Sequence, residues 1–374
     1  MNGILRSPVT RVVSVLAAAT VLAACSVGVN GSGSAGGSSA SGTDAVTFAG
    51  KTITLVAPFA AGGSADVLAR LTATQLSDFL PGKPTVVVKN MDGGGGSVGL
   101  NYVANLQPAN GLTLGFFGAG MATRYIAKTA GFDDLPDQPL IGGFPQGLVQ
   151  PVRAALGTDI PTLQKSSKPL RVAETSAGGT GALSATIGDG LLGIPIKQIF
   201  GFSGGGADAA TSMLSGETDA AQTADTSYDQ TFQPYVKSGK FNALFQTGIM
   251  NSQQQIVRSP LAPNVPTILE IYQQLHPNAQ PSGELWTTYQ LAANLNTSNY
   301  VLAARKGTPD NIMSTVRTAF NKMAASDGWK TFTQSKLTVP LATTDATVAT
   351  KSWNAFLDSS PEQVALFKKY SGLK

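Results

Sequence analysis

The chain has 374 residues, 42% hydrophobic and 13% charged, a composition that excludes a disordered chain and leaves material for two buried cores. Its formal net charge is only +4, and no run of five or six basic residues appears, which argues against a nucleic-acid surface. With one cysteine (Cys25) and one histidine (His276), an internal disulfide, a Cys-x-x-Cys pair and any multi-imidazole metal site are excluded, and neither a metal nor a cofactor is expected.

Residues 1–24 hold Arg6 and Arg11, no acid, and an apolar run too short to span a bilayer. This is the layout of a secretory signal. The run ends Leu22-Ala23-Ala24-Cys25, which resembles a bacterial lipobox, so cleavage before Cys25 and lipidation of its sulfur are expected; the alternative is a plain secretory signal with a chance cysteine. Residues 25–48 are rich in Gly, Ser and Ala and read as a flexible tether.

The body opens with a β-branched, apolar strand over 51–57, broken by Pro58-Phe59-Ala60-Ala61-Gly62-Gly63. Ser64 is a candidate N-cap for the next helix, with Asp66 in its first turn and Val67, Leu68, Leu71, Leu76, Phe79 and Leu80 on one face. A second strand is expected over 85–88, then a turn through Gly93, Gly94, Gly95, Gly96 and Ser97, a helix over 98–106 and a third strand over 112–117. The theme repeats with strand 170–173, the turn 174–181 and a helix to about 192. It repeats again with strand 196–200, the turn 201–206 and a helix over 207–214. Thr308-Pro309-Asp310 then starts an amphipathic helix with Ile312, Val316, Phe320 and Met323 on one face. Strand, glycine turn and helix in succession predict parallel sheets covered by helices.

Glycine at a strand-to-helix turn lets a ligand approach unpaired helix N–H groups and their partial positive charge. Four such turns, if they converge, make a cradle for a small carboxylate; the alternative is that they serve only tight turns and close packing. No GxxxxGK[ST] phosphate loop occurs. Gly201-Phe202-Ser203-Gly204-Gly205 matches the G-x-S-x-G nucleophile pattern, as does Gly95-Gly96-Ser97-Val98-Gly99, so a serine hydrolase using Ser203 is the alternative reading. Its base would have to be His276, which sits in a proline-bounded polar loop.

The stretch Pro58-Phe59-x-x-Gly62-Gly63-x-x-Asp66-x-x-x-Arg70 resembles the signature of the substrate-binding receptors of tripartite tricarboxylate transporters, the Bug-type proteins. Asn90 with Gly93 to Ser97, Asn110-Gly111-Leu112-Thr113-Leu114, Val265-Pro266-Thr267 with Glu270, and Gly307-Thr308-Pro309 are similar to further landmarks of that family, in the same order. The resemblance implies an α/β, two-lobed, type II periplasmic-binding-protein-like fold, each lobe a mostly parallel sheet flanked by helices. The expected lobes are 49–148 with 248–374, and 149–247.

By the same resemblance the chain is a non-enzymatic, monomeric, extracytoplasmic receptor. It captures a small organic carboxylate by clamshell closure and hands it to membrane permease subunits; a ligand-sensing module that signals to a membrane partner is a further alternative. The ligand would meet Phe59, Ala60, Ala61, Gly62, Gly63 and Asp66 in the first turn and Gly94, Gly95, Gly96 and Ser97 in the second. Ser176 and Thr180 in the third turn, and Phe202, Ser203 and Gly204 in the fourth, would close from the other lobe. Asp66 could equally serve its own helix. Lys89 stands where the family has Glu, Phe202-Ser203 where it has Tyr-Lys, and 131–151 aligns poorly, so the selectivity of the pocket is open.

Overall fold

Leu55, Val56 and Ala57 are all buried, as an apolar run covered on both faces requires, and they end the first strand, β1 (Thr52–Ala57). The computed structural model describes residues 45–129, 135–202, 205–251 and 253–373. The signal, Cys25 and most of the tether therefore lie outside the described residues, as do Ser203 and Gly204.

Two sheets carry the body. In the first, β1 pairs in parallel with β2 (Thr85–Asn90) and β3 (Thr113–Gly118). Beyond β3 lie β13 (Tyr300–Ala304), β4 (Leu140–Phe144) and β14 (Thr344–Asp345), giving the order β14-β4-β13-β3-β1-β2. Because β13 runs antiparallel to both β3 and β4, strands β1 to β4 all point the same way. The second sheet contains β5 (Leu148–Arg153), β6 (Leu170–Glu174), β7 (Ile196–Phe200), β8 (Ala220–Ala221) and β10 (Phe241–Gln246), in the order β10-β5-β8-β6-β7, with β9 (Thr223–Ala224) also on β5. There only β5 runs against the rest. A hairpin, β11 (Ile249–Met250) with β12 (Ile256–Val257), follows. Each sheet is thus mixed, with most strands in one direction.

The strands and helices expected around the four glycine turns form within one or two residues of their expected ends, except that the first helix stops early, at Leu76, with a 3₁₀ turn carrying Phe79. Two helix starts are shifted by one residue. Gly63, not Ser64, is the N-cap of Ser64–Leu76, and Pro309, not Thr308, precedes Asp310–Ala325. The face expected on the latter helix is buried at Val316, Phe320 and Met323. Phe320 stacks edge-on against Phe144 at 5.7 Å, and a side chain on Gly142 of β4 would run into the Phe320 ring, so glycine is required for that approach.

The chain passes between the sheets twice, after β4 and after β10. The two crossings are bonded to each other: Leu148 N–H donates to Thr247 Oγ1 (2.9 Å) and Thr247 N–H to the Leu148 carbonyl (2.8 Å). The buried Asp225 carboxylate accepts Gly147 N–H (2.9 Å) and Ser259 Oγ–H (2.6 Å) at the same place. Past β10, Ile268 and Leu285 seat beside Gly188 and Gly190 of the helix Thr180–Leu191, so the helices Ile268–Leu275 and Gly283–Leu295 cover the second sheet's side before β13 returns to the first.

Candidate functional site

Four helices point their N-termini at one cleft of about 110 Å³ between the sheets. They are Ser64–Leu76, Ala119–Ile126, Thr180–Leu191 and Gly206–Ser215, and each has a glycine N-cap (Gly63, Gly118, Gly179 and Gly205) that gives no side-chain cap. Five helices whose starts lie away from the cleft are capped by side chains instead, Asp159, Thr267, Ser326, Asp345 and Ser360 each accepting a first-turn N–H, although Gly283–Leu295 and Asp310–Ala325 are not. Capping side chains satisfy the orphan donors of a helix start, and glycine leaves them for whatever enters the cleft.

Of the expected site residues, Phe59 and Gly63 of the first turn, Gly95 of the second, Ser176 and Thr180 of the third and Phe202 of the fourth line this cleft. All four turns therefore converge. Ala60, Ala61, Gly62, Asp66, Gly94, Gly96 and Ser97 are not in its wall. Several of these build the turns. Gly93, Gly94, Gly95 and Gly96 all have positive φ, a run of backbone that only glycine adopts readily.

Asp66 is 4% exposed and fully engaged. Its carboxylate accepts Gly62 N–H (2.9 Å), Arg70 Nε–H (2.9 Å) and Asn90 Nδ2–H (2.9 Å), while Asn90 also donates to the Phe59 carbonyl (3.1 Å). Burial works against the charge, but the bonds from Arg70, Gly62 and Asn90 outweigh it and hold the Asp66 carboxyl below its ordinary range. Asp66→Asn is expected to cost about 1.5–3 kcal/mol of folding stability at pH 7, the worth of a charge-assisted hydrogen bond. Because the folded pKa is the lower one, this contribution is complete above pH 4 and disappears as pH falls through the folded value. Urea melts at pH 7 and pH 3 check it: equal losses at both would exclude the charge as the cause.

Two groups in the wall are new. The helix Ala119–Ile126 brings Arg124, whose guanidinium donates to the Gly94 carbonyl (2.9 Å), to Ser176 Oγ (2.9 Å) and to the Ala177 carbonyl (2.7 Å), tying the second turn to the third. Among the described residues no carboxylate pairs with it, and burial lowers its pKa. Gly118-Ala119-Gly120 after a strand repeats the pattern of the other turns and is the signal that could have found this helix start. The second group is polar and lies on the other side: Glu174, Gln222 and Ser227.

The two sides touch through backbone. A Cβ on Gly120 would lie 3.3 Å from Gly179 Cα and Thr180 N, and one on Gly205 would lie 3.6 Å from Gly63 Cα. His276 is exposed, stacks on Tyr272 at 4.7 Å and is not in the cleft wall.

No family model matches the chain. Among curated proteins, the UPF0065 protein of the tcbD–tcbE intergenic region of a Pseudomonas species is 27% identical over 236 residues, 60% of this chain and 64% of that protein. Protein BugT of Bordetella pertussis is 44% identical over 68 residues, 18% of this chain and 20% of BugT. The chain thus spans less than two thirds of the length of these relatives. Among solved structures, periplasmic binding protein BugD superposes with a TM-score of 0.65 at 22% identity, over 86% of this chain and 98% of BugD. A Rhodopseudomonas palustris protein with adipate gives 0.66 at 21% identity, over 86% and 97%. MatC of the same organism, with bound malate, gives 0.60 at 18% identity, over 84% and 98%. The chain is thus similar to UPF0065 and Bug proteins and has the two-lobed periplasmic-binding-protein fold.

Proposed function

We propose that this chain is an extracytoplasmic receptor that captures a small organic carboxylate in the cleft between its sheets and delivers it to the permease subunits of a tripartite tricarboxylate-type transporter. The observation that carries this reading is the convergence of four glycine-capped helix N-termini and Arg124 on one cleft: main-chain donors, aligned dipoles and a guanidinium are a receptor for a carboxylate. Two proteins of the same fold carry adipate and malate, both carboxylates, which supports it. The lobes follow the expected division, 49–148 with 248–374 and 149–247, except that Leu148 belongs to β5 and the helices Ile268–Leu275 and Gly283–Leu295 go with the second lobe. Cys25 provides the lipid anchor, and the residues after it form the tether. The ligand meets the amides around Gly63, Gly95 and Thr180 and the wall at Phe59, Ser176 and Phe202. A serine hydrolase built on Ser203 would have its only histidine outside the cleft wall, and the binding reading does not need one.

A thermal-shift screen of the purified chain against monocarboxylic, dicarboxylic and amino acids tests the reading. Acids that bind raise Tm, with the logarithm of their concentration over Kd, whereas a protein stabilised only by neutral sugars is not this receptor. Closure has its own test at Gly120. Its φ is not in the left-handed region, so a β-branched side chain strains no backbone there, yet the methyls of Gly120→Val would meet the Thr180 helix start across the cleft. The variant is expected to weaken acid binding about tenfold by isothermal titration, roughly 1.4 kcal/mol. An unchanged Kd would mean that the ligand does not need these two helix starts in contact.

A further inference from the structure

The cleft wall at the end of β6 holds more hydrogen-bonding capacity than the protein uses. Glu174, at the end of β6, is 2% exposed, and its Oε1 has no partner. Its side chain lies against Gly181 in the first turn of the Thr180 helix. Beside the same cleft, Gln222 leaves both Oε1 and Nε2 unpartnered, and Ser227, also 2% exposed, leaves its Oγ unpartnered. Buried polar atoms are otherwise paired nearly everywhere in proteins, so three unsatisfied side chains on one wall of one cleft point to a ligand.

We propose that Glu174, with Gln222 and Ser227, forms a second subsite that takes the ammonium of the ligand, so that the captured molecule is an amino carboxylate. This rests on the carboxylate-receptor reading above. The carboxylate end lies with Arg124 and the glycine-capped helix starts, and the ammonium end with Glu174. The three side chains offer an acid, an amide oxygen and a hydroxyl oxygen, the acceptor set that an ammonium with three donors needs. A second ligand carboxylate would need Glu174 to stay protonated as its donor, whereas an ammonium pairs with the ionised acid. Behind Glu174 lies Asp189, also fully buried, and no Lys or Arg is paired with either acid among the described residues, so this wall favours a cation. Burial, and then the Asp189 charge, push the Glu174 carboxyl well above its ordinary range in the empty cleft. Arrival of an ammonium reverses this: the Glu174 O–H bond breaks, the proton leaves to solvent, and the carboxylate pairs with the ligand.

Isothermal titration with the four-carbon set butanoate, 2-aminobutanoate, 4-aminobutanoate and succinate, and with its five- and six-carbon homologues, decides the matter. One of the amino acids is expected to bind at least tenfold more tightly than the monoacid and the diacid of equal length. Titrations in buffers of different ionisation enthalpy should show proton release for that amino acid and none for the monoacid, a readout that needs no variant. Glu174→Gln keeps the shape of the neutral acid and should reduce the preference to threefold or less. The proposal is overturned if diacids bind at least as tightly as amino acids at every length, if amino-acid binding releases no proton, or if the preference survives Glu174→Gln. In each of those cases the carboxylate receptor still stands. If no acid of any series binds, that reading fails and this one with it.

Discussion

Arg124→Gln is expected to weaken carboxylate binding ten- to a hundredfold. The guanidinium reaches Gly94, Ser176 and Ala177 from a helix of the first sheet's side, yet has no acid to pair with among the described residues. Its present partners are two carbonyls and a hydroxyl, which a bound carboxylate would outcompete for the charge. A hydrogen bond to a charged group is worth about 1.5–3 kcal/mol, and each 1.4 kcal/mol is tenfold in Kd. Glutamine keeps a donor but not the charge, so the loss should fall most heavily on acids and not on neutral ligands. Isothermal titration of the wild type and the variant against the tightest acid measures it. An unchanged Kd would take Arg124 out of the site. Tighter binding would mean instead that the bridge from Arg124 to Ser176 holds the cleft shut against the ligand.

Asp189→Asn is expected to stabilise the protein on the order of 3 kcal/mol at pH 8 and little at pH 4. Asp189 is 0% exposed on the helix Thr180–Leu191; its Oδ1 accepts Gln150 Nε2–H (2.9 Å) and its Oδ2 has no partner. Burial, opposed only by the Gln150 bond, pushes its carboxyl up to about 8. The unfolded chain ionises Asp189 near pH 4, whereas the folded chain holds the proton. Stability is therefore complete below pH 4 and is lost progressively as pH rises to about 8, with no further loss above. Four pH units at about 1.4 kcal/mol each bound the effect, and relaxation around the charge reduces it. Asparagine keeps the acceptor for Gln150 and removes the titration. Denaturant melts of both proteins at pH 4 and pH 8 test this; a gain equal at the two pH values would rule out ionisation as its source.

What could be read from residues alone was the local grammar. The runs ending at Ala57, Phe117 and Phe200 alternate or persist as strands do, and the glycines behind them mark the turns, so three strands of the first sheet, two of the second and the four glycine turns were legible. The strands β4, β5, β10 and β13 were not. Gly142-Gly143 inside β4 look like a turn, but one glycine admits the Phe320 ring and the other the side chains of Ser298 and Thr344. Pro151 argues against a strand, yet it lies in β5 opposite Ala243, where the register with β10 shifts. In the site, glycines announced the backbone donors because their reason is local. Arg124 and Glu174 did not announce themselves, because their importance comes from burial and from partners 52 residues away or across the cleft. Asp66 carried a family signature, and what the structure shows it doing is holding Gly62, Arg70 and Asn90 in place.

The insertion of β13 between β3 and β4 also sets an order of assembly. The strands of the second sheet all come from one continuous stretch, 148–246, although the helices Ile268–Leu275 and Gly283–Leu295 that cover it follow later. The first cannot close until a strand more than 150 residues further on arrives, so β3 and β4 wait with bare hydrogen-bonding edges meanwhile. The later-finished half is the one that carries Arg124, and the cleft comes into being last, when the carboxyl-terminal third of the polypeptide threads its strand home.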